Sequence, residues 1–521
     1  MKRNFYFILT ISTLIFWSSC RKDFDFEPSD GSLTFSKDTV YLDTVFTNIG
    51  SSTYNLKVYN RSNKDISIPN LRLGQGQASN YRLNVDGISG KEFQNVELLA
   101  KDSMYIFIET TFDIQTVVTA NNQFLYTDVI EFDSGSNFQK VDLVTLVKDA
   151  VFIYPNRDAQ GIVETLTFDV DGDGNVDETN VQGRFLTDAE LTFTKDKPYV
   201  IYGYAAVGEN KTLTIEAGAR VHFHANSGLL VTNNASLKIN GQYSPDQTTM
   251  TNEVIFESDR LEPMFDNIPG QWGTIWLFQG SKANDINFAT IKNATIGILA
   301  ENNPTATIPK LTIKNSKIYN SSNFGILGRA TSITAENVVL NNAGQSAFAG
   351  TYGGTYNFTH CTIANYWSSS FRQFPSLYLN NFLILEDDTV LTNALTAASF
   401  NNCIIFGNDN PEFLLEEEEG AAFNFKFTNC LIRFHDPNNK FGSDPNYDFD
   451  NMALYENVIF NQEPDFMDTS KNKLIIGQES AAINVIGNNP FSNSVPLDIL
   501  SVSRTAAPDL GAYQHVVFEE E

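Results

Sequence analysis

A chain of 521 residues, with 42% hydrophobic, 19% charged and 12% aromatic side chains, is long enough for several buried cores. With 41 Phe and 20 Tyr it is too rich in aromatics to be disordered. Its 62 acidic against 35 basic residues give a formal charge of -27, which excludes sequence-independent binding to nucleic acid or an anionic bilayer, and its four cysteines are too few for a disulfide framework.

Met1-Lys2-Arg3 is a short basic start, and 4–17 is mostly apolar, from Phe5 to Phe16. That run is shorter than the roughly 20 residues of a spanning helix and ends in Ser18-Ser19-Cys20. The pattern predicts a secretory signal over 1–19. It resembles a bacterial lipoprotein lipobox, in which the cysteine after the small residues, here Cys20, is lipidated and becomes the mature N-terminus. Trp17 departs from the usual Leu-type residue, a looseness similar to the lipoboxes of Bacteroidetes. Within 20–30, Asp23-Phe24-Asp25-Phe26-Glu27 alternates acid and aromatic, and resembles the tether that sends lipoproteins of that phylum to the outer face of the outer membrane. The resemblance implies an outer-membrane lipoprotein facing the cell exterior, touching the membrane only through its lipid anchor (palmitate or a similar acyl chain). The alternative is a cleaved signal with an unmodified cysteine.

Over 31–150 short runs alternate apolar and polar residues, as in 54–59 and 104–108, with turn signals such as Gly74-Gln75-Gly76, Asp86-Gly87 and Asn121-Asn122. About seven strands at this spacing predict an antiparallel β-sandwich. The run from Asp43-Thr44-Val45-Phe46 through Leu56 to Asn60 resembles the immunoglobulin-like domains of the Hydin type, which implies a spacer or packing partner.

The segment 151–200 reads as a linker carrying one sharp motif. Asp169, Asp171 and Asp173 alternate before Gly174, followed by Asn175 and Asp177. A hard cation needs six or more oxygens, and acids at alternate positions before a glycine fold a loop around it. The spacing is similar to the calcium loops of dockerins and EF-hands, which implies Ca2+ as a structural clip held by Asp169, Asp171, Asp173, Asn175 and Asp177. Asn180 stands where a bidentate carboxylate is expected. An acidic surface turn is the other reading.

Beyond about residue 200 a repeat takes over. One position, usually Asn, is flanked by apolar residues two before and three after it: Phe288, Asn315, Asn337, His360, Asn381, Asn402, Asn429 and Asn457, at steps of 27, 22, 23, 21, 21, 27 and 28 residues. A repeat of β-forming stretches at this period marks a solenoid, and the physics favours a parallel β-helix, with apolar residues stacked inside and asparagines bonded from rung to rung. Roughly a dozen rungs about 4.8 Å apart would span on the order of 60 Å. The repeat, together with the opening Leu213 to Phe223, resembles the right-handed parallel β-helix proteins of the pectate-lyase-like superfamily. The predicted fold is therefore all-β: an N-terminal antiparallel β-sandwich, then a right-handed parallel β-helix over 201–521. A segment holding Arg504 and Asp509-Leu510-Gly511 would close it as a cap over the last rung. Cys361, Cys403 and Cys430 each follow a marked position, Cys361 one rung further off, and read as buried thiols.

Polysaccharide-cleaving β-helices use paired carboxylates or a base beside Ca2+, and no such motif is recognisable here. Tyr352, Tyr356, Tyr366, Trp367, Phe371 and Phe374 cluster around glycines and serines and are the candidate glycan contacts, since sugar rings stack on aromatic faces; loop packing against the helix is the other reading. The function read from the sequence is non-catalytic binding of glycan, or of a cell-envelope partner, along the solenoid. A polysaccharide lyase or glycoside hydrolase, and a purely structural envelope protein, stand as alternatives.

Overall fold

The computed structural model describes residues 25–116, 122–302 and 308–519. The expected signal and Cys20 lie outside the described residues. The chain divides into two compact units, Met1–Asp149 and Ala150–Glu521.

The first unit is a β-sandwich. One sheet orders Glu27–Pro28, Ile66–Leu73, Gln123–Phe132, Gln139–Lys148 and Thr39–Phe46, with Glu92–Leu98 also paired to Ile66–Leu73. The other orders Thr34–Phe35, Tyr54–Tyr59, Ser103–Thr110, Tyr81–Val85 and Ile88–Gly90. Period-two alternation places Leu56, Val58, Ile106, Ile108, Val141 and Leu143 in one core, and their neighbours face out. Pairing is antiparallel except for Glu27–Pro28 beside Ile66–Leu73 and Thr39–Phe46 beside Gln139–Lys148, which run parallel.

The second unit is a parallel β-helix. Each full rung has three sides. One side belongs to an eleven-stranded sheet running from Val151–Ile153 to Ile459–Phe460, here the ladder sheet. The other two sides join an eighteen-stranded sheet. Arg220–Phe223, Gly228–Val231 and Ser236–Asn240 make one such rung. Stacking is residue over residue: Val221, Phe256, Ile291, Ile318, Leu340, Ile363, Ile405 and Ile432 form one inward column, all buried in a single core.

The repeated position is the corner entering the ladder sheet. Phe288, Asn315, Asn337, His360, Asn402, Asn429 and Asn457 all hold left-handed backbone, φ between 47° and 53°. Asparagine tolerates that region better than other side-chain-bearing residues, and its amide bonds to the copy above. Asn457 Nδ2 donates to Asn429 Oδ1 at 3.1 Å, and Asn429 Nδ2 to Asn402 Oδ1 at 2.9 Å. Asn402 Nδ2 then meets His360 Nε2 at 2.9 Å, so the histidine fills an asparagine place.

Four expectations are corrected. Asn381 is not a corner. Thr362–Asn365 pairs directly with Ile404–Gly407, one step of 42 residues from His360 to Asn402, because Phe382–Ile384 and Val390–Thr392 form a hairpin inserted within the rung. Cys361 is consequently on the rung next to Cys403, and with Cys430 makes three buried thiols on successive rungs; burial pushes Cys361 and Cys430 well up from the ordinary thiol range. The segment 151–200 is not a linker: Val151–Ile153 already pairs with Tyr199–Ile201, and Asp177–Phe185 with Tyr204–Val207, so the solenoid begins there. The C-terminal segment runs along the ladder sheet rather than over the last rung. From Val339 onward the outer face of that sheet is mostly apolar, and Leu474, Ile476, Ala482, Leu510, Ala512 and Tyr513 cover Val339, Ala364, Ile404, Phe406 and Leu431. Arg504, fully buried, ties the segment down by donating to Asn337 Oδ1 at 2.9 Å and to Gly511 O at 3.0 Å. Among the described residues no helix is long and apolar enough to cross a membrane.

Candidate functional site

The register of the larger sheet brings two outward columns side by side. Leu230, Trp276, Leu299, Leu327, Ala349, Tyr378 and Leu414 stack in one. Two residues further along, Glu301, Arg329, Thr351, Asn380 and Glu416 follow in the other. The columns are cross-linked. Trp276 Nε1 donates to Glu301 Oε2 at 2.6 Å, and Arg329 Nη1 to Glu301 Oε1 at 2.9 Å. Tyr378 OH donates to Glu416 Oε2 at 2.6 Å, and burial with that carboxylate pushes its phenol well up.

Beyond these columns the chain turns a second corner, again with left-handed backbone at Gly280, Asn302, Ala330 and Tyr352. The corners stack into a groove of about 480 Å³ lined by Asn233, Gln279, Asn302, Tyr352, Asn393 and the tip of the acidic loop at Asp171. Its wall is braced from inside. Lys310, 1% exposed, donates its ammonium to Phe278 O at 2.6 Å, Asn302 O at 2.7 Å and the Glu301 carbonyl. Burial pushes its pKa down to about 7. Asn393 Nδ2 donates to Tyr352 O at 2.9 Å, which fixes the far end. Asn233 Oδ1 is buried and has no hydrogen-bond partner among the described residues.

The acidic loop joins Thr165–Phe168 to Asp177–Phe185. One carboxylate oxygen each of Asp169, Asp171 and Asp177 lie within 4.8 Å of one another. The loop's amides fold it around them: Gly172 N donates to Asp169 Oδ1 at 2.6 Å, Gly174 N to Asp169 Oδ2 at 3.1 Å and Val170 N to Asp177 Oδ2 at 2.9 Å. This all-oxygen donor set fits a hard cation. Asp173 is placed otherwise, accepting from Asn175 N at 2.7 Å and Asn175 Nδ2 at 2.9 Å, which holds its carboxyl below the usual range. Asn180 is exposed on the following strand. Asn233 Nδ2 donates to Asp169 O at 3.2 Å and Gln279 Nε2 to Val170 O, so the loop is docked on the groove wall.

The six aromatic candidates do not form one patch. Tyr352 edges the groove. Tyr356 is corrected outright: it is 0% exposed, because its place in the alternation points it inward, where its hydroxyl donates to Gly353 O at 2.9 Å. Trp367 is buried with its indole bonded to Ser370 Oγ, and Tyr366 packs on Phe466 of the C-terminal segment. Phe371 is exposed on a loop, and Phe374 leans on Tyr378 at 5.3 Å. The groove amides went unread in the sequence because each comes from a different rung.

A second cluster sits on the other half of the ladder sheet, where His222, Glu257, Lys292 and Tyr319 stack in one outward column. Lys292 Nζ lies 2.8 Å from Glu257 Oε2, and Glu257 Oε1 lies 3.7 Å from His222 Nδ1.

No family model and no curated relative matches the chain. Among solved structures it is similar to the catalytic unit of a GH87 alpha-1,3-glucanase from Streptomyces thermodiastaticus strain HF3-3, at 10% identity and TM-score 0.21, covering 79% of this chain and 87% of that one. It is similar to the periplasmic chaperone SfaE at 10% identity and TM-score 0.15, covering 22% of this chain and 57% of that one. A family 123 glycoside hydrolase from Clostridium perfringens follows at 8% identity and TM-score 0.16, covering 23% of this chain and 29% of that one. At such scores the likenesses say nothing of what this chain binds.

Proposed function

We propose that the chain is a cell-surface lipoprotein whose β-helix binds glycan in the corner groove without cleaving it. The observation that carries this reading is the groove itself: amides from successive rungs at Asn233, Gln279 and Asn302, and an aromatic edge at Tyr352. Side-chain amides offer both donors and acceptors to sugar hydroxyls, and an aromatic ring offers its face to a pyranose. The lining offers one carboxylate, Asp171, where two-carboxylate hydrolysis needs a facing pair. The lipid anchor at Cys20 and the outward address rest on the N-terminal motif alone. Ca2+ held by Asp169, Asp171 and Asp177 would stiffen the loop that forms one wall, as a clip rather than a reacting group.

The test is affinity electrophoresis of residues 21–521 in gels containing plant, host or bacterial polysaccharides, with Ca2+ present. Retardation by one polymer, lost in Asn233→Ala and Asn302→Ala, supports the reading; retardation unchanged in both sinks it. A second reading, enzymatic cleavage, is favoured by the half-buried column of Glu257, Lys292, His222 and Tyr319. New reducing ends or unsaturated products, abolished by Glu257→Gln, would put that reading first.

A further inference from the structure

The sandwich carries an exposed aromatic face that no part of the groove reading uses. On its five-stranded sheet, Asn55, Lys57 and Tyr59 of one strand lie beside Tyr105 and Phe107 of the next, in register Lys57 to Tyr105 and Asn55 to Phe107. Their alternate neighbours Leu56, Val58, Ile106 and Ile108 fill the core, so all five point outward. Tyr105 is 48% and Phe107 45% exposed, and their rings lie nearly parallel, 19° apart, with centroids 6.2 Å apart along the strand. Two large rings left in water on a flat sheet are the kind of patch that marks a binding surface.

Cations gather on the same face. Lys57 Nζ stands 5.4 Å from the centroid of Tyr59 and 5.0 Å from that of Tyr105. The guanidinium of Arg61 stands 4.2 Å from the Tyr59 centroid, and Lys101 Nζ reaches Arg61 O at 2.6 Å. Among the described residues no carboxylate lies within ion-pair distance of Lys57, Arg61 or Lys101, in a chain whose formal charge is -27. The acids at the rim are engaged: Glu109 lies 3.6 Å from Arg82, and Asp102 accepts from Ser103 N at 2.7 Å.

We infer that this face binds an acidic polysaccharide of the polyuronate kind. Two exposed aromatic rings offer apolar area to the C–H faces of pyranoses. Lys57 and Arg61, held beside the rings, supply positive charge for the carboxylates, and Asn55 and Asn84 border the rings for hydroxyls. The local charge is opposite to that of the whole chain, which would otherwise repel such a polymer.

The probe is polygalacturonate, in affinity electrophoresis and titration calorimetry with residues 21–521. The expected result is retardation that weakens as salt rises, at least about tenfold weaker affinity in Tyr105→Ala/Phe107→Ala, and a flattened salt dependence in Lys57→Gln/Arg61→Gln. Thermal melts check that these exposed substitutions leave the fold intact. No retardation of the parent, or equal retardation of parent and both double variants, overturns the inference. So does equal affinity for poly-L-glutamate, which would assign the face to acidic peptide instead.

Discussion

Glu412 offers the sharpest test of how the solenoid's loops are held. Its side chain is 0% exposed and that of Arg372 is 4%. The guanidinium donates Nη2 to Oε1 at 2.7 Å and Nη1 to Oε2 at 2.9 Å. The same carboxylate accepts from Asp409 N at 2.8 Å, Ser376 N at 2.8 Å and Ser376 Oγ at 2.7 Å. Five donors on two oxygens make the pair a junction between the 366–376 loop and the 408–412 turn. Glu412→Gln keeps the shape and removes the charge, leaving the buried guanidinium only Asp409 Oδ2, 4.0 Å away, as a charge partner, which costs about 3–5 kcal/mol. Arg372→Met should cost a similar amount. Together the two changes leave neutral groups, and the double variant should lie about 3 kcal/mol nearer the parent than the sum of the singles. A two-unit chain need not melt in one step, so the readout is native-state hydrogen exchange at Leu377–Asn380, where Leu377 N donates to Glu412 O at 3.1 Å. Each single variant should speed exchange there by roughly two to three and a half decades. Changes under about 1 kcal/mol, or strict additivity, would refute the claim that the charge pair holds the loops.

Four other outcomes follow from the same structure. Asn429→Gly keeps the φ of 53° and loses only ladder bonds, so it should cost about 1–2 kcal/mol, whereas Asn429→Val adds left-handed strain of about 1–3 kcal/mol more; urea denaturation should rank them in that order. Glu190 is held at about 2, below its ordinary 4.5, by Arg184, whose Nη2 lies 2.6 Å away. Its folded value is the depressed one, so its stabilisation is complete above about pH 4.5 and is lost as pH falls toward 2; exchange at 186–193 should rise through that window and lose this pH dependence in Glu190→Gln. Lys310→Met orphans three carbonyls on the groove wall and should destabilise by on the order of 3 kcal/mol in the same denaturation assay. Millimolar Ca2+ should protect 169–177 from proteolysis in the parent and not in Asp169→Ala/Asp177→Ala; equal cleavage with and without the ion would assign the loop to an acidic turn.

What could be read in advance was whatever repeats at one corner of the rung. Asn315, Asn337, Asn402, Asn429 and Asn457 share one φ and one hydrogen-bond partner type, and that shared constraint wrote itself into the sequence. Asn381 imitated it because the inserted hairpin has the same apolar spacing; its amide instead reaches Glu418 O and Ala421 O. Tyr352 and Tyr356 show the opposite failure. They stand four residues apart beside the same glycines, yet the left-handed turn at Tyr352 and Gly353 leaves one at the groove and sends the other into the core. Counting by twos cannot follow a chain through such a corner. The groove was hidden for a related reason: Asn233, Gln279, Asn302 and Asn393 are separated by insertions of unequal length, so no fixed period joins them.

The three sides of the solenoid are not equally free to bind. The far half of the ladder sheet is taken by the C-terminal segment, and in its near half Lys292 and Lys317 already face Glu257 and Glu253 at 2.8 and 3.6 Å. A second side, bearing Lys314 and Lys426, answers its own charges from rung to rung, Lys314 to Glu336 at 2.7 Å and Lys426 to Glu456 at 2.6 Å, the latter pair lining a hollow of about 630 Å³. Groups already paired with their neighbours gain little by exchanging them for a ligand, because each new bond replaces an existing one. At the remaining corner Gly280 holds left-handed backbone, and a Cβ there would stand 3.0 Å from Asn233 Oδ1, so only glycine lets the groove wall close on that side chain.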